Sequence, residues 1–152
     1  MFRVNSAGEF NAPFGRYKNP NIVNEITLKA VSKFLNENDI TILNKDYEKA
    51  LEGLKKGTFV YLDPPYDPLS DSSNFTGYNK GGFGKEEQDR LKQVCDSLDA
   101  RGIKFLLSNS STEFIQNLYS KYKKNIVFAK RSVNSLGNKR GEIEELLIRN
   151  YE

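Results

Sequence analysis

The sequence predicts an α/β protein with a mostly parallel sheet. Segments with the apolar spacing of a helix alternate with short apolar runs along the 152 residues, which is typical of α/β folds. The clearest strand covers residues 58–62, whose Phe, Val and Tyr favour extended backbone. Its unbroken apolar character predicts burial on both faces. No helical pattern separates the last two apolar runs, which predicts a hairpin with one antiparallel strand.

The individual elements follow from apolar periodicity and from turn and capping residues. Residues 2–18 show neither period, and Ser6-Ala7-Gly8 predicts a turn within a small β-hairpin or loop. Ser110 and Glu113 have the spacing of a capping box and predict the start of a helix that runs to about Tyr122. The other helices are predicted at residues 21–37, 47–56 and 85–101. Strands are predicted at residues 40–43, 58–62, 103–107, 125–129 and 145–151.

Composition excludes several classes of site. The chain contains no histidine, so histidine-dependent triads and histidine metal sites are excluded. Cys95 is the only cysteine, which excludes a disulfide within the chain and agrees with a reducing cytoplasm. No apolar run reaches the ~18 residues of a membrane span, and the first residues lack the apolar segment of a signal peptide. We therefore expect a globular, cytoplasmic protein.

Positive charge is concentrated in two segments, residues 1–18, where Arg3, Arg16 and Lys18 stand against Glu9 alone, and residues 121–140. Residues 121–140 contain seven Lys or Arg residues and no acid. The net charge of +3 is by itself weak evidence for an anionic partner. An ordinary solvated surface is the alternative interpretation.

The residues after the strand at 58–62 form an acceptor-rich turn. Pro64 and Pro65 lack N–H groups and end the strand. Asp63 and Tyr66 therefore lie at its carboxyl end, where open α/β sheets bind ligands. A carboxylate, carbonyl oxygens and an aromatic ring suit an exocyclic amine on a planar ring, such as an adenine rotated out of its duplex. Two acceptors on the amine hydrogens would leave the nitrogen lone pair free to attack an activated methyl group. A structural Asp-Pro turn is the alternative.

Three further features are candidate sites with structural alternatives. Residues 3–18 mix Arg, Asn, Lys and aromatic side chains, which can contact base edges and phosphates, although an ordinary polar hairpin has a similar composition. The loop at 67–84 is long enough to indicate function, and its glycines lack a phosphate-binding pattern. Asp46 follows the strand predicted at 40–43, and its alternative role is a helix N-cap.

Several motifs occur together in the order of a known family. They are Phe10 to Lys18, Asp63-Pro64-Pro65-Tyr66, Asn74-Phe75-Thr76 with Tyr78, Ser108-Asn109, and Arg131-Ser132-Val133-Asn134 with Arg140. This set resembles the C-terminal part of the Dam-type (α-group) DNA adenine-N6 methyltransferases. The resemblance implies a partial Rossmann-like methyltransferase sheet with a remnant of the DNA-recognition domain. Residues 1–20 would be the end of the target-recognition hairpin, and residues 21–152 the C-terminal part of the catalytic domain.

The resemblance also implies roles for individual residues. Asp63 and the Pro64 carbonyl would hold the target amine, Pro65 completes the catalytic motif, and Tyr66 would stack on the flipped adenine. Asp46, Tyr47 and Asp63 would contact S-adenosylmethionine. No metal is implied. The expected contacts with double-stranded DNA are Arg3, Asn5, Pro13, Arg16, Lys18, Asn74, Arg131, Asn134 and Arg140.

The sequence departs from the family pattern at one point. In the family, a Phe-x-Gly-x-Gly cofactor motif and a preceding lysine-containing segment stand before the recognition domain, and neither occurs in this sequence. We therefore expect a fragment that binds S-adenosylmethionine poorly by itself. Its expected partner is the missing N-terminal portion of the same enzyme.

Three functions remain open at this point. The first is a site-specific adenine-N6 DNA methyltransferase, for which the resemblance implies GATC as the target. The second is a catalytically inactive DNA-binding remnant, or a subunit that requires a partner chain. The third is an RNA or protein amine methyltransferase with the same motif, against which residues 10–18 argue.

Overall fold

The computed structural model describes residues 5–10, 18–20, 22–69, 82–130 and 142–152. The chain forms two compact units, residues 1–44 and residues 45–152. In chain order, the described elements are α1 Glu25–Glu37, α2 Tyr47–Leu51, β1 Phe59–Leu62, α3 Lys85–Ala100, β2 Lys104–Ser110, α4 Glu113–Leu118, β3 Lys123–Lys130 and β4 Glu142–Arg149.

The first unit contains a short turn and helix α1. The side chain of Asn24 caps the helix by accepting from the Thr27 N–H at 3.2 Å. No residue of α1 is buried, and the apolar residues Ile26 and Phe34 are 84% and 60% exposed. The helix predicted at residues 21–37 is therefore confirmed, with a later start at Glu25.

The strand predicted at residues 40–43 is wrong. This segment has no regular secondary structure, and Ile42 is 80% exposed. A strand needs a hydrogen-bonded neighbour to be stable, and the described residues of the first unit contain no strand. The short apolar run therefore lacks the partner that would make it a strand.

The second unit contains a sheet of four described strands in the order β1-β2-β4-β3. β1 and β2 are parallel, and β4 is antiparallel to both β2 and β3. Three strands therefore point one way and β4 points the other. This arrangement confirms the α/β class and the mostly parallel sheet with an antiparallel C-terminal pair.

Helix α3 packs against β2 and supplies much of the core. Cys95 of α3 is completely buried, and burial raises the pKa of its thiol to about 12. The thiol is therefore neutral and inert at physiological pH. The buried apolar residues are Val60, Leu62, Leu91, Cys95, Leu98, Ile103, Phe105, Leu107, Ile115, Tyr119, Tyr122, Leu146 and Ile148.

The start of α4 differs from the predicted capping box. Thr112, not Ser110, is the N-cap, and its hydroxyl accepts from the Ile115 N–H at 3.3 Å. Ser110 is the last residue of β2, and its hydroxyl donates to the Asp67 carbonyl at 2.7 Å. Ser110 and Thr112 are both residue types that cap helices. Because β2 extends to Ser110, the helix begins later and Thr112 caps it. Helices α2 and α4 also end earlier than predicted, at Leu51 and Leu118.

Strand β1 is buried on one face, not on both as predicted. Val60 and Leu62 are 6% and 9% exposed, whereas Phe59 and Tyr61 are 53% and 55% exposed. β1 is also an edge strand of the described sheet. One face and one edge of β1 therefore remain open within the described residues of this unit.

Candidate active site at the Asp-Pro-Pro-Tyr turn

The turn formed by Asp63 to Tyr66 begins directly after β1. Asp63 is exposed, whereas both prolines and Tyr66 are half-buried. The parallel register pairs Leu62 with Leu107, so the next residue of each strand lies at the same edge of the sheet. Asp63 therefore lies beside Ser108, as expected for ligand sites at the carboxyl ends of parallel strands.

One carboxylate oxygen of Asp63 is held by a hydroxyl chain. Ser108 Oγ donates to Asp63 Oδ1 at 2.8 Å, and the Tyr61 hydroxyl donates to Ser108 Oγ at 3.2 Å. The Tyr66 hydroxyl also interacts with the Asp63 carboxylate, whereas the hydrogen bond from Ser108 uses Oδ1. The carboxylate is thus oriented through one oxygen while the other can accept from a ligand.

The two proline carbonyls of the turn have different surroundings. Gln88 Nε2 donates to the Pro65 carbonyl at 3.0 Å. None of the described residues donates to the Pro64 carbonyl, so within these ranges it stays available. The turn therefore offers two adjacent acceptors, Asp63 Oδ2 and the Pro64 oxygen, and no N–H donor from either proline.

The prolines and Asp63 line a cavity of about 260 Å³ together with Tyr47, Tyr61, Leu62, Phe83 and Leu91. The Tyr47 hydroxyl is buried and lacks a hydrogen-bond partner among the described residues. A buried hydroxyl normally has a partner, so this one is unusual. The acceptors and aromatic rings that line the cavity fit a flat polar ligand such as part of a nucleoside.

Tyr66 lines a different, smaller cavity of about 120 Å³ with Asp67, Ser110 and residues 143–145. Burial raises the pKa of its hydroxyl, a hydrogen bond with Ser108 lowers it, and the Glu145 and Asp63 carboxylates raise it further. The phenol is therefore protonated at neutral pH. The stacking of Tyr66 on a flipped base stays a prediction.

Asp46 lies beside Tyr47 and has two partners on one oxygen. Its Oδ1 accepts from the Glu48 N–H at 3.0 Å, which makes Asp46 the N-cap of α2, and from Arg90 Nη2 at 2.8 Å. Burial opposes ionisation of Asp46, but the hydrogen bonds from Arg90 and the Glu48 N–H outweigh it and lower the pKa. The N-cap interpretation is thus confirmed, and Oδ2 remains without a donor among the described residues.

Arg90 of α3 connects this region to the rest of the unit. Its guanidinium pairs with Asp46, Glu48 and Glu87 at 2.8 to 3.2 Å and lies 4.8 Å from the Tyr47 ring centroid. Burial raises the pKa of Tyr47 to about 12. The charge of Arg90 lowers this pKa, and the three carboxylates raise it further. Arg90 therefore fixes the positions of both predicted cofactor residues of α2.

The described residues contain two of the predicted DNA contacts. Lys18 is exposed. Asn5 Oδ1 accepts from the N–H groups of Ala7 and Glu9, at 3.0 and 2.9 Å, so its side chain stabilises the predicted turn at residues 6–8. Arg3, Pro13, Arg16, Asn74, Arg131, Asn134 and Arg140 lie outside the described residues.

The described part of the basic segment at 121–140 is largely paired within the protein. Lys121 contacts Asp96 at 2.9 Å, Lys123 pairs with Glu152, and Lys124 donates to the Gln116 carbonyl at 2.9 Å. Acids from elsewhere in the chain thus neutralise part of a segment that contains none itself. Its predicted contact with DNA phosphates stays a prediction.

Sequence reasoning did not assign roles to Gln88 and Arg90, and it used Ser108 and Asn109 only as matches to a family motif. The position of Gln88 in the sequence could have indicated a role, because it lies in the apolar stripe of α3 with Leu91, Cys95 and Leu98. In the structure Gln88 is completely buried. A glutamine in such a stripe needs hydrogen-bond partners. Arg90 gave no such indication, since charged residues are frequent on helix surfaces.

Two features are absent from the described residues. No cluster of His, Cys, Asp or Glu residues there could hold a metal ion. Among the described helices, none has the length and apolar character required to cross a membrane.

Comparison with known proteins agrees with this geometry. The model of the D12 class of N6 adenine-specific DNA methyltransferases matches residues 1–133. The Type II methyltransferase M.MjaIII of Methanocaldococcus jannaschii is 47% identical over 99% of this chain and 52% of its own length. Type II methyltransferase M1.LlaDCHI of Lactococcus lactis is 42% identical over 99% of this chain and 53% of its own length. The DNA adenine methylase of Escherichia coli is 35% identical over 97% of this chain and 52% of its own length.

The chain spans about half the length of the curated relatives it matches. The family match covers residues 1–133 of the 152, including the whole Asp63 to Tyr66 turn. It therefore confirms the resemblance that the motifs indicated. The chain belongs to the D12 class of N6 adenine-specific DNA methyltransferases.

Proposed function

We propose that this chain is the base-binding half of a DNA methyltransferase that transfers a methyl group from S-adenosylmethionine to N6 of adenine. The observation that carries the proposal is the pair of available acceptors, Asp63 Oδ2 and the Pro64 oxygen. Each neighbouring acceptor, Asp63 Oδ1 and the Pro65 oxygen, already receives a hydrogen bond. The protein thus engages one oxygen of each kind and leaves the other for a ligand.

The acceptor pair matches the chemistry of an exocyclic amine. The adenine amine has two hydrogens, and its nitrogen lone pair is delocalised into the ring. Hydrogen bonds from these hydrogens to Asp63 Oδ2 and the Pro64 oxygen would favour a pyramidal nitrogen with a localised lone pair. Attack on the methyl carbon would break its bond to the sulfur of the donor, which would leave as S-adenosylhomocysteine, and the alkylated nitrogen would lose its extra proton to solvent. A cytosine amine has the same two hydrogens, so base identity requires its own test.

S-adenosylmethionine fits the residues near the turn, and it would supply an electrophilic methyl group. Asp46 Oδ2 can accept from the amine of the cofactor's adenine, because both described bonds of Asp46 use Oδ1. Tyr47 supplies a ring and a buried hydroxyl that lacks a described partner. Asp63 lines the same cavity as Tyr47. These three residues are our proposed cofactor contacts.

The proposed partner is the remaining portion of a methyltransferase of this family. The relatives contain about as many residues outside the match as within it. Among the described residues of the second unit, β1 is an edge strand, and its residues Phe59 and Tyr61 are more than half exposed. An exposed edge strand with apolar side chains is suited to pairing with a further strand. We propose that this portion covers β1 and completes the cofactor pocket.

A methyl-transfer assay tests the proposed enzyme. The chain is incubated with S-adenosylmethionine carrying a labelled methyl group and GATC-containing duplex DNA, alone and with the part of the M. jannaschii relative outside the match. We expect incorporation only in the mixture. Asp63→Ala should lower the rate by at least about 100-fold, a loss typical of removing one preorganised polar group. Asp89→Ala, on the exposed side of α3, is the matched control.

The outcomes separate the competing functions. Incorporation that survives Asp63→Ala would contradict the role of the acceptor pair. A chain that binds duplex DNA without incorporation in any mixture would be the inactive DNA-binding remnant. Incorporation into RNA or protein instead of DNA would favour the third function. A duplex in which GATC is scrambled tests the target that the resemblance implies.

A further inference from the structure

Gln88 connects helix α3 to the catalytic turn through both ends of its amide. The residue is completely buried. Its Nε2 donates to the Pro65 carbonyl at 3.0 Å, and its Oε1 accepts from Asn109 Nδ2 at 3.1 Å. A buried amide with both ends paired is rigid and specific, because either unpaired end would cost free energy.

Asn109 continues this chain of hydrogen bonds to the far end of the turn. Its Oδ1 accepts from the Asp67 N–H at 3.0 Å and from the Ser110 N–H at 2.9 Å. Asn109 is also completely buried. The Gln88–Asn109 amide pair therefore holds the turn at two points, the Pro65 carbonyl before Tyr66 and the Asp67 N–H after it.

The polarity of these bonds permits one arrangement of the two amides. The Pro65 carbonyl requires a donor, so the NH₂ group of Gln88 must face it. The Gln88 oxygen then faces Asn109, whose NH₂ group must point towards it. The Asn109 oxygen is left to accept from the Asp67 N–H. Each end of the amide pair is thus matched to the backbone atom that it meets.

The turn has little backbone support of its own. Pro64 and Pro65 have no N–H groups to donate, and no described backbone hydrogen bond joins residues 63–66 to one another. We propose that Gln88 and Asn109 are positioning residues of the methyl-transfer site. They draw the Pro65 carbonyl to the buried side of the turn, which leaves the Pro64 carbonyl and Asp63 for the target amine. The consequence for catalysis depends on the proposed function.

Kinetics of the mixture described above test the catalytic consequence. Gln88→Glu keeps the shape of the side chain but replaces the donor to Pro65 with an oxygen. We expect kcat to fall about tenfold to 100-fold, as for a misplaced reacting group. The KM values for DNA and S-adenosylmethionine should stay within about twofold, because the Gln88–Asn109 amide pair, hereafter the clamp, acts on the geometry of the turn and not on binding. Gln93→Glu, on the exposed side of the same helix, should leave both parameters unchanged.

Amide exchange in the chain alone tests the clamp without requiring activity. Asn109→Ala removes the acceptor of the Asp67 N–H, so the exchange rate of Asp67 should rise at least about tenfold relative to that of Leu107 in the sheet. The ratio corrects for a general loss of stability. If Asn109→Ala does not fold, Asn109→Ser replaces it, because its shorter polar side chain cannot reach Asp67.

Each result has a definite meaning. An unchanged ratio of exchange rates, or an unchanged kcat in Gln88→Glu, would overturn the proposal. A rise in KM at constant kcat would also overturn it, since that is the signature of a binding role. A wild-type mixture without activity would contradict the proposed function instead. The ratio of exchange rates would then show by itself whether Gln88 and Asn109 hold the turn.

Discussion

The Asp63 carboxylate is oriented by neutral hydroxyls, since Ser108 Oγ donates to it at 2.8 Å and the Tyr66 hydroxyl also hydrogen-bonds with it. A neighbouring cation would compete with a ligand amine for the same charge, whereas a hydroxyl directs one oxygen and leaves the other. The sequence alone predicted Asp63, Pro64 and Pro65 as site residues, because a carboxylate and carbonyl oxygens without N–H donors suit the binding of an amine. It could not predict Ser108 as their support, because that pairing depends on the register between two strands.

Replacement of Ser108 tests this orientation. Ser108→Ala removes a hydrogen bond to a charged group, which contributes about 1.5–3 kcal/mol. We expect the single-turnover rate of methyl transfer in the mixture to fall about tenfold, with DNA affinity unchanged. Ser97→Ala, at an exposed position of α3, is the control. A Ser108→Ala rate within about twofold of the wild type would show that Asp63 does not need this hydroxyl.

Helix α3 is the element that organises the site. Its first two turns carry Gln88 and Arg90, which reach the Asp63–Tyr66 turn and α2, and Asp96 follows further along. The sequence predicted α3 almost to the residue, because a long amphipathic helix carries its signal in its own periodicity. The run at 40–43 had no such signal, since a strand exists only through its neighbours.

Asp96 joins α3 to the segment after α4 and gives a pH-dependent contribution to stability. Its oxygens accept from Lys92 at 2.6 Å, from the Tyr122 hydroxyl at 2.6 Å and from Lys121 at 2.9 Å. Burial alone would raise the pKa of Asp96, but these three partners lower it from 3.8 to about 2. The ionised form is therefore favoured in the folded state.

The sign of this shift determines the pH range. A folded-state pKa below the unfolded value stabilises the protein above pH ~4, and the contribution is lost as the pH falls towards ~2. The shift corresponds to roughly 2.5 kcal/mol, but the side chain is 38% exposed, so screening leaves about 1 kcal/mol. We expect Asp96→Asn to lower the free energy of unfolding by that amount at pH 6 and hardly at all at pH 2, measured by urea denaturation. An equal loss at both pH values, or a similar loss in the exposed Asp89→Asn control, would contradict this.

At the scale of the whole molecule, the described residues contain an acceptor-rich turn at the carboxyl end of an edge strand. The chain spans about half the length of its relatives. The open face of β1 was not predicted. Its apolar run indicated burial on both faces, and the residues that would cover the second face are not among those described. The apolar sequence of a strand indicates that its faces can be buried, but it does not show whether another element covers each face.

The most direct test of the central claim is the identity of the methylated nucleoside. DNA from the reconstituted reaction is digested and analysed by mass spectrometry, with wild-type protein and with Asp63→Asn, whose amide keeps the shape of the carboxylate but not its charge. If the Asp63–Pro64 acceptor pair holds an adenine amine, N6-methyladenine should be the product and should fall at least about 100-fold in Asp63→Asn. N4-methylcytosine as the product, or undiminished N6-methyladenine in Asp63→Asn, would contradict the account.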